Sequence, residues 1–369
     1  MTIKHKLASL PWKKIMITLT FIFLAMAPFF LSDFRTNLLG KFICYGIIAL
    51  GLDMLWGYTG ILSLGHGVFF GLGAYCMAMY LKLEGSGGKL VDFMKWSGLE
   101  SLPNFWKPFA QPGFALIMVI LAPTLLALII GFLTFKNRIK GVYFSILSQA
   151  IAIIATVLLV GQQAYTGGSN GLTHFSTIFG FNIVNSQTKL GIYYTSLLFL
   201  ILAYLLCQFL INRRIGKVLI AIRDGENRVR FSGYNPTSYK VFIYCLSAAL
   251  AGIAGALYVP QVGIISPNEM SVTSSIEMII WVAIGGKGTL VGAILGALLV
   301  NASKTLVSEN FPEIWSYFIG VIFILVMLYM PNGLAGAIHT FKEHLRKRKL
   351  KIETQKEGSI KATTLKEEV

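Results

Sequence analysis

Charge is scarce in this chain. Only 13% of its 369 residues are Asp, Glu, Lys or Arg, and just 16 are acidic, where an ordinary soluble domain carries roughly 25% charged residues. With 55% hydrophobic residues beside so little charge, the chain is neither a water-soluble globule nor a disordered polymer. Residues for common catalysis are also few. Cys44, Cys76, Cys207 and Cys245 have no metal-ligand spacing to a histidine or to one another, and read as small core residues. No H-E-x-x-H and no G-x-S-x-G occurs. Gly285-Gly286-Lys287-Gly288-Thr289 imitates a phosphate loop, but Gly288 stands where Ser or Thr must follow the lysine, and Trp281 takes the first glycine's place. The chain is therefore read as a non-enzyme, with no metal and no cofactor of its own.

What it has in quantity is long apolar runs. They cover 15–31, 42–57, 61–81, 114–135, 142–160, 190–210, 241–259, 271–284, 290–302 and 314–330. A span takes about 20 residues, so the expected fold is all-α, a polytopic transmembrane bundle of about ten spans. It becomes eight plus a re-entrant hairpin if 271–284 and 290–302 do not each cross. The first run is read as an uncleaved helix, although Ala25-Met26-Ala27 imitates a cleavage site. Alternating the runs puts most of the 32 basic residues on the side of the N-terminus, which predicts both termini inside. The net charge of +16 then reads as attraction to anionic lipid rather than to nucleic acid. Residues 1–340 form the membrane domain, and the basic stretch 341–369 is expected to be a disordered cytoplasmic tail. The outer loop 82–113, with Phe93, Trp96 and Trp106, is expected to be an ordered cap.

Small residues four apart recur at Gly67 and Gly71, at Ala248, Gly252 and Ala256, and at Gly292 and Gly296; they predict close helix packing. Gly57, Gly60, Gly65 and Gly67 crowd a backbone break at Tyr58-Thr59-Gly60, tolerated at membrane depth only where it lines a cavity or is buried in protein. Asp53 and Glu277 fall inside spans, at a cost of about 2.5–3.5 kcal/mol each on insertion scales. Each is either an ion-pair or helix-end residue or part of a polar pathway, for which Ser63, His66 and Trp281 are the other candidates. Ser63 and His66 lie one turn apart without a third triad member. Lys41 and Lys287, both near span ends, are the only basic residues close to the membrane interior, which favours a neutral solute. The inner loop 212–240 carries apolar residues at 218, 219 and 222. They predict a short amphipathic helix, ended at Asp224-Gly225, that docks in a partner's groove or lies on the membrane.

Two segments carry a resemblance. Arg214-Ile215-Gly216-Lys217…Ala221-Ile222-Arg223-Asp224…Gly233…Tyr239-Lys240, running into Ser247-Ala248…Ala251-Gly252…Gly255-Ala256-Leu257-Tyr258, resembles the permease subunits of branched-chain amino acid ABC importers. So does Gly57-Tyr58-Thr59-Gly60-Ile61-Leu62-Ser63-Leu64-Gly65-His66-Gly67. Within that family Gly51-Leu52-Asp53-Met54-Leu55-Trp56 and Ser275-Ile276-Glu277-Met278-Ile279-Ile280-Trp281 resemble the urea-transporting branch. The resemblance implies the second permease subunit of a urea importer in the bacterial inner membrane. A paralogous permease, two cytoplasmic ATPases that bind the ATP, and an extracytoplasmic solute-binding protein would be its partners. It implies alternating access, with Gly216, Ala221, Ile222, Arg223, Asp224, Glu226 and Gly233 coupling the chain to the ATPases. A branched-chain amino acid or another small amide is the alternative cargo. A secondary transporter working alone and an intramembrane enzyme using Ser63 and His66 are the competing classes.

Overall fold

The computed structural model describes residues 12–311 and, beyond them, 313, 317, 320, 321, 324, 328 and 333. The helices in chain order are α1 (Trp12–Met26), α2 (Asp33–Thr59), α3 (Gly67–Gly85), α4 (Asp92–Trp96), α5 (Pro112–Lys136), α6 (Val142–Gly161), α7 (Gln163–Thr166), α8 (Ser186–Asn212), α9 (Arg214–Phe231), α10 (Pro236–Val262), α11 (Val272–Gly285) and α12 (Leu290–Asn310). Four two-residue strands, which the sequence did not announce, clip the loops together: Leu172–Thr173 pairs antiparallel with Ile264–Ile265, and Thr177–Ile178 with Phe181–Asn182.

Two helices form the centre. α10 packs on α2, α3 and α5, while α2 also packs on α8 and α12. Glycines bring the backbones together, as expected of a bundle that lipid does not squeeze. A Cβ on Gly73 would stand 2.2 Å from the Gly252 carbonyl oxygen, and one on Gly255 2.1 Å from that of Phe70. Asn235 caps α10 by accepting from the Thr237 N–H, and Pro236 opens its first turn.

Six described helices are long and apolar enough to cross a membrane: α2, α5, α6, α8, α10 and α12. The shortfall against ten has physical causes. The run at 15–31 breaks at Pro28 into α1 and a 3-10 turn, Ala27–Phe29. The run at 61–81 begins non-helically, and α3 carries Lys82 and Glu84 in its last turn. α11 has 14 residues, about 21 Å of helix at 1.5 Å per residue, short of a hydrocarbon core of about 30 Å. The run at 314–330 and the tail 341–369 lie outside the described residues. The cap at 82–113 is ordered: Val91, Met94 and Phe109 are buried, and the Trp106 indole donates to the Tyr165 carbonyl at 3.0 Å.

The break after α2 is exposed at Gly60 but largely packed into protein beyond it, with Ile61, Ser63, Gly65 and His66 buried. Gly60 adopts φ +74° as the left-handed cap, and its N–H returns to the Trp56 carbonyl. Beyond it the strand-like segment is held by serines of its neighbours. The Leu64 N–H donates to Ser148 Oγ at 2.9 Å, Ser145 Oγ donates to the Leu62 carbonyl at 2.9 Å, and the Gly67 N–H donates to Ser275 Oγ at 3.0 Å. These three bonds supply protein partners to backbone groups that no helix satisfies, the condition for non-helical backbone inside a bundle.

Candidate functional site

The structure gathers the chemistry-bearing residues at the two ends of α2. At its C-terminal end lies a junction with α9. α9 kinks sharply at Gly225 (φ −176°, ψ 76°), which divides it into two helical stretches: the first ends at Asp224-Gly225, as expected, and a second, which the sequence did not announce, runs on to Phe231. Its apolar residues Leu219, Ile222 and Val229 are buried against the bundle. Ile222 therefore anchors the helix, while Ala221, Arg223 and Asp224 are exposed. The outward face forms a concavity of about 380 Å³ lined by Lys217, Val218, Ala221, Asp224, Arg228 and Tyr234 among others. Gly216 is pressed against the preceding turn, where a Cβ would stand 2.1 Å from the Ile211 carbonyl oxygen. Gly233 takes φ +84° where the chain leaves α9.

Arg223 reaches from α9 into α2. Its Nη1 donates to the Gly57 carbonyl at 2.7 Å, and its Nε donates to Asp224 at 3.0 Å. Gly57 is among the last carbonyls of α2, where a helix lacks internal donors and carries partial negative charge, so a guanidinium fits there. The same end holds the turn between α11 and α12. Asp53 is fully buried, and its Oδ1 accepts from the Gly288 N–H at 2.6 Å, while Tyr58 donates to the Gly288 carbonyl at 3.0 Å. Lys287 lies over the Trp56 ring at 5.8 Å. The loop that imitates a phosphate site thus spends its backbone on Asp53 and Tyr58. Glu226 ties α9 to its neighbours: Lys240 lies 2.7 Å from its carboxylate, Arg230 3.3 Å and Lys140 3.9 Å. Burial alone would raise the Glu226 carboxyl; the hydrogen bond and charge of Lys240, with Lys140 and Arg230, outweigh it and hold the group below its ordinary value.

About 18 Å along α2, at 1.5 Å per residue from Asp53 back to Lys41, sits a charged and aromatic cluster. Lys41 Nζ lies 5.7 Å from the ring centres of both Tyr45 and Tyr258. Tyr258 donates to Glu269 at 3.1 Å, and Trp281 packs on Tyr45 with ring centres 4.5 Å apart. Glu277 receives Lys304 on both oxygens, at 2.8 and 3.0 Å. Trp281 is buried, whereas Glu277 is partly exposed. The expectation of a membrane interior poor in cations is corrected here: Lys304, assigned to no role from the sequence, closes on Glu277 because α12 runs back along α11.

Ser63 and His66 belong to neither end. Both are fully buried, and His66 Nε2 lies 3.0 Å from Ser247 Oγ of α10. The five pathway candidates are therefore not one constellation: Asp53 is in the junction, Glu277 and Trp281 are in the cluster, and Ser63 and His66 are in the packed break between α2 and α3. The sequence analysis missed Lys41, Tyr258, Glu269 and Lys304 as a group. Glu269 follows Pro267 in a loop outside the apolar runs, so hydropathy gave no signal for it.

A family model described as "Branched-chain amino acid transport system / permease component" matches residues 34–327. The high-affinity branched-chain amino acid transport system permease protein LivM of Salmonella typhimurium is 27% identical over 329 residues, covering 83% of this chain and 71% of that protein. The permease protein BraD of a high-affinity branched-chain amino acid system in Pseudomonas aeruginosa is 23% identical over 306 residues, covering 79% of this chain and 91% of its own. The autoinducer 2 import system permease protein LsrC of Yersinia pseudotuberculosis is 28% identical over 239 residues, 61% of this chain and 65% of that one. No solved structure matches.

Proposed function

Because the chain belongs to the branched-chain amino acid transport system permease family, we propose that it is one membrane subunit of an ATP-driven importer for branched-chain amino acids. Family membership supports partner ATPases and a solute-binding protein. A paralogous permease completes the pathway against apolar faces such as those of α5 and α6, of which only 22% is buried in this chain. The protein works in the plasma membrane with α9 on the cytoplasmic side, where the basic loops gather. It performs no covalent chemistry; the ATP is bound by its partners.

One observation carries the mechanism: α9 is joined to the bundle interior by a short run of hydrogen bonds. Arg223 holds Gly57 at the end of α2, and four residues up the same helix Asp53 holds Gly288 at the turn between α11 and α12. An ATPase that grips the outward face of α9 moves Arg223, and with it two central elements at once. The solute, delivered from outside, is released inward as these elements rearrange.

Urea, the first cargo expected from the sequence, is named for none of these three relatives, and the alternative is the better supported. The neutral-solute argument also weakens, because the bundle does hold cations beside carboxylates. Uptake of labelled leucine and labelled urea in a strain lacking the gene tests the cargo. Loss of leucine uptake with urea uptake intact is the expected result; the reverse returns urea to first place.

A further inference from the structure

The cluster at the N-terminal end of α2 has a charge arrangement that its own residues do not complete. Glu277 and Lys304 close on each other. Lys41 and Glu269 do not. Lys41 makes no ion pair among the described residues and rests on two tyrosine rings instead, one of them Tyr258, whose hydroxyl reaches Glu269. Glu269 takes only the neutral hydroxyl of Tyr258. Lys41 and Glu269 are each only partly buried, so the cluster is not sealed off from its surroundings. A cation and an anion held apart beside a tyrosine hydroxyl cost desolvation without the return of a direct pair. They become complementary to a guest that carries both charges on adjacent atoms.

The geometry points to a binding site for the α-carboxylate and α-ammonium of a zwitterionic amino acid, Lys41 taking the carboxylate and Glu269, aligned by Tyr258, taking the ammonium. This rests on the amino acid reading above and adds the residues that recognise the solute inside the permease. The site reads the common head of an amino acid and not its side chain, because Tyr45 and Tyr258 are themselves buried and leave the aliphatic part to other surfaces. Urea, with no formal charge, gains nothing from the separated pair. Placed away from the ATPase junction, the site would hold solute while the other end of α2 is moved.

The test uses the complete importer in detergent and in liposomes: this chain with its partner permease, ATPases and solute-binding protein for uptake, and without the binding protein for ligand protection. L-leucine at millimolar concentration should raise the unfolding midpoint of the wild-type complex. L-leucinamide, which lacks the carboxylate, and 4-methylpentanoate, which lacks the ammonium, should not. Lys41→Met should abolish the protection and lower leucine uptake by about 30-fold or more, the scale of an unmatched charge at a desolvated contact. Lys41→Arg should restore both, and Glu269→Gln should lose protection while keeping the Tyr258 contact. Uptake by Lys41→Met at the wild-type rate, protection by leucinamide equal to that by leucine, or no protection of a wild-type complex that does import leucine would each overturn the site. A wild-type importer that carries urea and not leucine fails earlier, at the cargo reading itself.

Discussion

The two ends of α2 solve the problem of polarity inside a membrane protein in opposite ways. At the C-terminal end two charges reach into backbone: Arg223 to the Gly57 carbonyl, Asp53 to the Gly288 N–H. At the N-terminal end charges face other charges and aromatic rings, and Lys41 has no carboxylate against it among the described residues. A side chain bonded to backbone fixes the position of a whole element, which suits force transmission. A side chain facing accessible space keeps its valence for something that arrives and leaves, which suits solute.

That contrast breaks most visibly at Arg223. Arg223→Glu puts a carboxylate against the negative end of α2, and ATP-driven uptake should fall by more than about 10-fold, the effect of roughly 1.4 kcal/mol, while the chain still assembles in the membrane. Unimpaired uptake would remove Arg223 from the coupling route. Gly57→Ala acts on the same contact through space: its Cβ would stand 2.3 Å from both Asp53 Oδ1 and the Gly288 nitrogen. Overpacking of this kind costs about 1–3 kcal/mol, read as a lower unfolding midpoint of the purified complex together with lost transport. Asp53→Leu strands a buried N–H and should cost a similar about 1–3 kcal/mol. Asp53→Asn keeps an acceptor and should recover most of it, so equal damage by both would mean that the charge, not the hydrogen bond, matters.

At the other end effects on stability should be smaller. Glu277→Gln removes the charge of a partly exposed pair, the Lys304 side chain being 30% exposed, and such pairs are worth about 0–1 kcal/mol. Uptake should drop with assembly intact; unchanged kinetics would confine Glu277 to a structural role. The smallest effect concerns pH at α9. Glu226 is held below its ordinary 4.5, so its stabilising ties are complete above that value and are lost only as pH falls through the lower, folded value. Protection of the α9 amides, measured as exchange relative to the base-catalysed intrinsic rate, should therefore be constant around neutral pH and fall only in acid. A loss of protection on the alkaline side of neutrality that Glu226→Gln removes would contradict the direction of the shift.

Much of the bundle was legible because hydropathy has a length scale. The runs at 114–135, 142–160 and 190–210 each became one helix, since an apolar stretch in lipid must satisfy its backbone internally. The run at 61–81 becomes a helix only from Gly67, and hydropathy cannot see why: Ser145, Ser148 and Ser275, far along the chain, supply hydrogen bonds to a non-helical start. The first stretch of α9 was legible as an amphipathic helix ending at Asp224-Gly225; the second stretch, beyond the Gly225 kink, was not, because it is tied down by Lys240 of α10 on Glu226. Arg223 and Asp53 stood out as charges in costly places, yet that they serve one junction depends on Gly57 and Gly288, which carry no chemical signal.

Composition and hydrophobic run length by themselves settled that this polypeptide is a helical membrane protein, because bilayer thickness and backbone hydrogen bonding leave few other solutions. The basic inner loop 212–240, with its apolar residues at 218, 219 and 222, marked the segment held outside the bundle's apolar centre. Which charges meet was decided by the tertiary structure alone. Asp53 finds Gly288, and Lys41 meets Tyr258, whose hydroxyl binds Glu269, only when α2 lies between α10 and the pair α11–α12. Electrostatic and hydrogen-bond energies depend on separations of a few ångströms, and partners more than 200 residues apart acquire those separations from packing, not from sequence spacing.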